Sequence, residues 1–314
     1  MDELNFEKVT IVLAEPHGQV RTGLKSTLAS LGIRNVKDVE RLSQVRRLVE
    51  EGDLDLLISD IDLPDGDVSS LFYEIRHHSV GLNPFVPIIA TSWASSVDNV
   101  RRVIDSGADD LLVKPISTGQ LMDRVRALTN ARKPFVVTTD YIGPDRRGPN
   151  SLQRGEDIPQ IEVPNTLQHR ATGKGDIDPV EFQKAIDTAV ASINEQKMDR
   201  HAKQIVYLVE RILPGPKRDM SKETLPELIN RLLYVTEDLS RRMKGTRFGH
   251  IAELSKSLYK VAEKIKEAKG KPSAKDEKLM PQLALAIQAS FKEGMDSAGM
   301  AQDISDSIEK AGSR

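Results

Sequence analysis

Three side chains with complementary chemistry close three apolar runs of this chain. Asp60 follows LDLLIS (residues 54–59), Thr91 closes VPIIAT, and Lys114 closes DDLLVK just ahead of Pro115. Apolar runs of this length, bounded by turn residues, read as buried strands. In open α/β sheets, ligand sites form outside the carboxyl ends of parallel strands. A carboxylate, a hydroxyl and an ammonium at successive strand ends can supply a nucleophile, an oxygen partner and a charge clamp. Those are the parts that phosphoryl transfer needs. The first run, VTIVLA, ends in Glu15-Pro16, so one further carboxylate joins the set.

The elements that must position these groups alternate along residues 1–131. Strands are expected at Val9–Ala14, Val36–Val39, Leu54–Ser59, Val86–Ala90 and Leu111–Val113. Helices are expected at Gln19–Leu31, Leu42–Glu50, Val68–His77, Val97–Ser106 and Thr118–Ala131. Gly32 and Gly107 stand where helix C-terminal caps belong. Strict alternation predicts an α/β fold, a flavodoxin-like, doubly wound, five-stranded parallel sheet.

From residue 132 to 175 the pattern stops. Pro134, Pro144, Pro149, Pro159 and Pro164 recur among Gly, Asn and charges, which reads as a Pro/Gly-rich, extended linker. It contains YIGPDRRG, with Pro144 expected in a turn. Arg146 and Arg147 there could meet an acidic partner or a phosphate, or simply face solvent.

Residues 176–314 read as an all-α bundle. Asp178-Pro179-Val180-Glu181 orders an N-cap, a first-turn proline and a capping-box acid, opening a helix that Pro214-Gly215-Pro216 stops. Thr224-Leu225-Pro226-Glu227 repeats the start signal, and Ile251, Leu254, Leu258, Val261 and Ile265 mark a third helix. Weaker segments at Leu279–Phe291 and Met300–Ile308 are interrupted by Pro281 and Gly294. His201 and His250 fall on these helices. Each could be an exposed phosphoacceptor, though packing or capping is the default for such a residue. The cations at 241, 242, 244 and 247 sit near a helix end, where the macrodipole favours them.

Bulk composition narrows the function classes. The 314 residues carry 45 Lys and Arg against 47 Asp and Glu, a net charge of −2, which gives no electrostatic case for broad nucleic-acid or membrane-surface binding. There is no cysteine, so disulfides and thiolate metal sites are excluded. No apolar run approaches membrane-spanning length, and a cytoplasmic location is expected. The C-terminal half has no metal-ligand cluster, glycine-rich phosphate loop or nucleophile elbow, so no separate enzyme is expected there.

Glu15, Asp60, Thr91 and Lys114, with the segments Asp60-Ile-Asp-Leu-Pro64-Asp-Gly66 and Gly107-Ala-Asp-Asp-Leu-Leu-Val-Lys114-Pro115, resemble the receiver domain of bacterial two-component response regulators. The resemblance covers residues 1–131. It implies that Asp60 accepts a phosphoryl group from a sensor histidine kinase or phosphotransfer protein, and that Lys114 neutralises its oxygens. It further implies that Thr91 turns its hydroxyl toward the new group, and that Glu15, Asp60 and the backbone carbonyl of Asp62 hold Mg2+. The helical region would then transmit the signal through a protein partner or a homodimer.

Two departures bear on that expectation. Pro16 stands where the family has a second acid, so Glu15 must serve alone and Mg2+ binding should be weak. Leu111 stands where the family has Tyr or Phe, so the aromatic switch has no counterpart there, and Trp93 is a candidate substitute. A pseudo-receiver scaffold acting without phosphorylation is the competing expectation, and a DNA-binding output ranks below both. Glu15 could also serve only as a cap for the helix near Gly18.

Overall fold

The structure is a computed structural model that describes residues 4–93, 96–147, 158–173, 178–213, 223–246 and 248–291. It divides into two compact units, residues 1–193 and 194–314.

The first unit is built on strands β1 (Thr10–Ala14), β2 (Asn35–Val39), β3 (Leu56–Asp60), β6 (Ile88–Ser92) and β7 (Asp110–Val113). They form one parallel sheet in the order β2-β1-β3-β6-β7. Helices α1 (Gly18–Ser30), α2 (Leu42–Glu51), α3 (Val68–Arg76), α4 (Val97–Asp105) and α5 (Thr118–Asn130) connect them. Strands β1, β3 and β6 are buried along their whole length, because βα crossovers cover both faces of a parallel sheet. One core face gathers Val12, Leu57, Leu71, Phe72 and Ile88; the other gathers Ile11, Leu28, Ile58, Ile89 and Val125. The chain turns from β1 outward to β2, then crosses back to β3 on the other side of β1. That reversal is the topological switch point, where such sheets bind ligands. The expected flavodoxin-like fold is observed. One addition is a short hairpin after Asp60, in which β4 (Asp62–Leu63) pairs antiparallel with β5 (Gly66–Asp67).

The segment 132–175, expected as an extended linker, is largely structured where it is described. Strands β8 (Phe135–Val137), β9 (Ile142–Pro144) and β10 (Gln160–Ile161) form a small antiparallel sheet, and α6 (Thr166–Ala171) follows. Its prolines hid a short run of strong apolar residues. Phe135, Val137, Ile142 and Ile161 pack with Phe85 and with Ile186 and Ile193 of α7 (Pro179–Ile212). Pro144 does not make the turn; it ends β9 opposite Phe135, and the turn is closed by the Thr138 amide donating to Tyr141 O at 2.8 Å.

Charge fixes this sheet to the amino-terminal edge of β7. The buried Asp109 carboxylate accepts from Arg76 Nη2 at 2.8 Å, from Arg132 Nε at 2.7 Å and from the Ile88 amide at 2.8 Å. Both guanidiniums lie about one ring-contact distance from Phe135, at 5.2 and 5.0 Å from its centroid. Burial pulls Arg76 down to about 10, against the opposing attraction of Asp109, so it stays charged at neutral pH. Arg146 donates to the carbonyl of Ala108, and Arg147 pairs with Asp145 at 2.8 Å. Gly107, at φ +82, is required here: a Cβ would lie 2.5 Å from the carbonyl oxygen of Ile142. The arginines of YIGPDRRG are therefore structural anchors.

The second unit is helical. The carboxyl half of α7, α8 (Leu225–Met243), α9 (Gly249–Glu267) and helical residues 274–291 share one apolar core, including Ile205, Val209, Leu232, Leu239, Leu258, Ile265 and Ile287. Asp178 caps α7 by accepting from the Val180 amide at 2.8 Å, and Thr224 with Glu227 forms the expected capping box of α8. Helical residues 274–291 run through Pro281, which was expected to interrupt them. Met300–Ile308 lies outside the described residues. None of the described helices is long and apolar enough to cross a membrane.

Inside this unit Asp238 is a charge hub. Its Oδ2 meets His201 Nε2 at 2.9 Å, Arg242 Nε at 2.9 Å and Lys197 Nζ at 3.8 Å, while Oδ1 accepts from Arg241 Nη2 at 2.7 Å. Desolvation would raise Asp238, but the hydrogen bond from His201 and the charges of Arg242 and Lys197 overcome it and hold the carboxyl well below the usual range. Burial pushes His201 down, with Lys197 and Arg242 adding to that and Asp238 opposing it.

Three outcomes follow from this architecture. Phe135→Ala should cost about 3–5 kcal/mol in urea unfolding followed by Trp93 fluorescence, as for a buried aromatic. A loss below about 1 kcal/mol, the scale of surface changes, would return residues 132–171 to the status of a tether. In the second unit, His201 has a folded pKa below its ordinary 6.5, so its contribution is present above that pH and lost on acidification. The helical unfolding midpoint should therefore fall between about pH 7.5 and about pH 5.5, and His201→Gln should flatten that slope. Asp238→Ala should cost about 3–5 kcal/mol by stranding buried cations.

Candidate functional site

The four sequence-identified groups come together at the carboxyl edge of the sheet. Glu15 directly follows β1, Asp60 ends β3, Thr91 lies in β6 in register with Asp60, and Lys114 directly follows β7. Each is buried, with 0%, 3%, 1% and 5% of its surface exposed. Groups this deep need partners, because an unpaired charge out of water is costly. Lys114 Nζ supplies them by donating to both Glu15 Oε2 and Asp60 Oδ2. The backbone seats it: the Lys114 amide donates to Ser92 O at 2.8 Å.

The other carboxylate oxygens are engaged too. Asp60 Oδ1 accepts from the Asp62 amide at 2.8 Å. Glu15 Oε1 accepts from the His17 amide at 2.9 Å and lies 3.0 Å from His17 Nδ1. Arg21 Nη1 donates to the Glu15 carbonyl at 2.7 Å. Glu15 thus does both things open to it: it holds the residue preceding α1 with one oxygen and faces Lys114 with the other. Pro16, the position of the missing acid, adds no side-chain donor.

Trp93, 53% exposed, lies on the rim with its ring centre 5.4 Å from Lys114 Nζ and edge-to-face with His17. Leu111 sits in β7 opposite Ala90, half-buried against the core. It contributes apolar packing, and nothing about it reproduces an aromatic switch. Asp62 points away from the buried triad. Its exposed carboxylate pairs with Arg102, and its backbone amide is what reaches Asp60. The two helical histidines lie in the second unit. His201 is fully buried against Asp238, which removes the exposure that a phosphoacceptor needs, and His250 is exposed at the start of α9.

Sequence reading missed how the loop after Asp60 is tied down. Asp65 Oδ1 accepts from the Leu42 amide at 2.6 Å, and its Oδ2 from Ser43 Oγ at 2.8 Å, which ties the loop to the amino terminus of α2. Although desolvation opposes it, the Ser43 and Leu42 hydrogen bonds hold Asp65 at about 2. Asp67 Oδ1 caps α3 by accepting from Ser69 N at 2.8 Å. Arg102 of α4 reaches both Asp62 and Asp67. The only sequence signal was the alternation of aspartates at 60, 62, 65 and 67, which names no partner.

The sheet-bearing part of the chain is similar to known proteins. Residues 11–126 match the family model described as the response regulator receiver domain. The chain is 29% identical over 175 residues to the KDP operon transcriptional regulatory protein KdpE of Escherichia coli K12, covering 55% of this chain and 69% of that protein. It is 30% identical over 135 residues to the swarming motility regulation protein RssB of Serratia marcescens, covering 43% of this chain and 59% of that one. A solved structure of the receiver domain of a Pseudomonas aeruginosa PAO1 sensor histidine kinase, with magnesium coordinated in its active-site cleft, is 30% identical. It covers 37% of this chain and 93% of that one, at a TM-score of 0.34. The chain spans between 28% and 69% of the lengths of these and other curated relatives. Residues 11–126 are a response regulator receiver domain of the two-component type.

Proposed function

We propose that this protein is a response regulator that accepts a phosphoryl group on Asp60 and passes the signal on through its helical region by protein–protein contact. The observation that carries this reading is the buried Lys114 ammonium shared between Asp60 and Glu15, with Thr91 in register beside Asp60. A carboxylate oxygen of Asp60 would attack phosphorus, and the bond from phosphorus to the histidine nitrogen of the donor would break. The imidazole leaves with the bonding pair, and an acyl phosphate forms. Each Asp60 oxygen keeps a lone pair beyond its present hydrogen bond. Lys114 stands ready to compensate the incoming oxygens as a compact charge. Thr91 is the hydroxyl nearest in register to meet them.

The residues also fit Mg2+. Two buried carboxylates share one ammonium, which leaves one uncompensated negative charge beside hard oxygen donors. Among the described residues no group of three His, Cys, Asp or Glu is arranged to hold a metal ion. Glu15 and Asp60 would therefore hold it with the Asp62 carbonyl and water, and weakly. Bound there, Mg2+ would screen the repulsion between the phosphoryl oxygens and Asp60.

In this reading the donor is a sensor histidine kinase or a phosphotransfer protein, and the chain is not an enzyme in its own right. A homodimer through the helical unit is a further possibility within it. Nucleic acid ranks below a protein partner, because the net charge is −2 and the helical charges are mixed. One observation favours a second reading as a phosphorylation-independent scaffold: Pro16 leaves the pocket without a second acid after β1.

Acetyl phosphate with Mg2+ and a radiolabel separates the two. Wild type should take up acid-stable, base-labile label, Asp60→Asn should take up less than about a tenth as much, and Pro16→Asp should gain roughly tenfold in rate at low Mg2+. No uptake by wild type, or equal uptake by Asp60→Asn, would leave the scaffold reading.

A further inference from the structure

The hairpin that follows Asp60 contains an electrostatic conflict. Asp62 of β4 and Asp67 of β5 are paired directly opposite one another. Like charges at opposed positions of an antiparallel ladder repel, and a ladder two residues long has little else to offset that. Arg102 resolves the conflict from another element. Its Nη2 lies 3.1 Å from Asp62 Oδ1, and its Nη1 lies 3.3 Å from Asp67 Oδ2. One planar fork thus spans both carboxylates, a geometry that guanidinium offers and ammonium does not. Asn99, one turn earlier on α4, supports the same fork, with its Oδ1 3.3 Å from Arg102 Nη2.

A cation in the last turn of α4 is favoured by the helix dipole in any case. The dipole does not account for both prongs meeting two aspartates some 35 and 40 positions back in the chain. Nor is the hairpin a remote feature. The amide of Asp62 aims Asp60 Oδ1, and Asp67 caps α3 with the oxygen that Arg102 does not use. Pro64 and Asp65 make the turn between the two strands, and Gly66 follows at φ +149. Whatever holds Asp62 in place therefore also holds the Asp60 carboxylate.

We propose that Arg102 is a positioning residue for the phosphoryl acceptor. It clamps Asp62 to Asp67 so that the Asp62 backbone stays set against Asp60, and it makes α4 part of the acceptor's support. The inference rests on the reading of Asp60 as that acceptor. It is distinct from the roles of Lys114 and Thr91, because Arg102 acts through the hairpin and touches neither Asp60 nor its phosphoryl group.

The test uses the full chain as wild type, Arg102→Ala, Arg102→Lys and Arg101→Ala, the last an exposed neighbour on the same helix. Hydrogen exchange over residues 61–67 should quicken in Arg102→Ala by about two- to fivefold, the scale of a half-exposed ion pair. The Mg2+ concentration that half-saturates the Trp93 fluorescence change should rise by about the same factor, with the labelling rate at saturating Mg2+ little changed. Arg102→Lys should recover part of both effects, since it restores the charge without the fork, and Arg101→Ala should match wild type. Unchanged exchange in Arg102→Ala, or equal effects from Arg101→Ala, would overturn the proposal. Quickened exchange in a protein whose wild type neither binds Mg2+ nor takes label would uphold the clamp and overturn the acceptor reading instead.

Discussion

A lysine ammonium buried between two carboxylates is the constraint around which the receiver unit is arranged. Glu15, Asp60 and Lys114 are each at most 5% exposed, and removing such groups from water is tolerable only if they meet one another. They stand 45 and 54 positions apart along the chain, so only the sheet can bring them together. The parallel order β2-β1-β3-β6-β7 does so by ending β1, β3 and β7 at the same edge. Each of these strands is then committed in register, because a slip by one residue would turn the charged group into the core. With one cation for two anions, the cluster is satisfied in its hydrogen bonds yet still negative. That combination makes it a receptive place for further positive charge and gives the carboxylates chemistry to do.

The opposite edge of the same sheet carries a second buried cluster. Asp109, immediately before β7, binds Arg76 and Arg132, while Lys114 directly follows the other end of that strand. Four residues of β7 therefore separate the Asp60 pocket from the anchor of the β8-β9-β10 sheet. Asp65, Asp67 and Arg102 add ties from α2, α3 and α4 to the loop after Asp60. The receiver is thus held at both edges of its sheet by charge, and its apolar layers fill the space between.

Much of this was legible in the sequence, and the reason is local. The strands are short apolar runs, the helices are periodic, and the carboxylate, hydroxyl and ammonium close their strands where the fold class places ligands. What escaped was long-range or diluted. Residues 132–171 look like a linker because prolines and charges outnumber a few large apolar residues, yet Phe135 and Ile142 are enough to seat a small sheet on Phe85. The pairing of Arg76 with Asp109 spans 33 positions and that of His201 with Asp238 spans 37, and neither leaves any periodic trace. Pro281 was expected to break a helix whose apolar face, Met280, Ala284, Ile287 and Phe291, carries it through. Arg102 gave no signal of its role, because nothing in a sequence says which carboxylates will face it.

The central claim is that the buried triad makes Asp60, among the four aspartates of its loop, the phosphoryl acceptor. Borohydride reduction of the acyl phosphate, followed by peptide mass spectrometry, reads this at single-residue resolution. After treatment with acetyl phosphate and Mg2+, homoserine should appear at position 60, and positions 62, 65 and 67 should stay aspartate. Homoserine at any of those three positions, or at none of the four, would contradict the account.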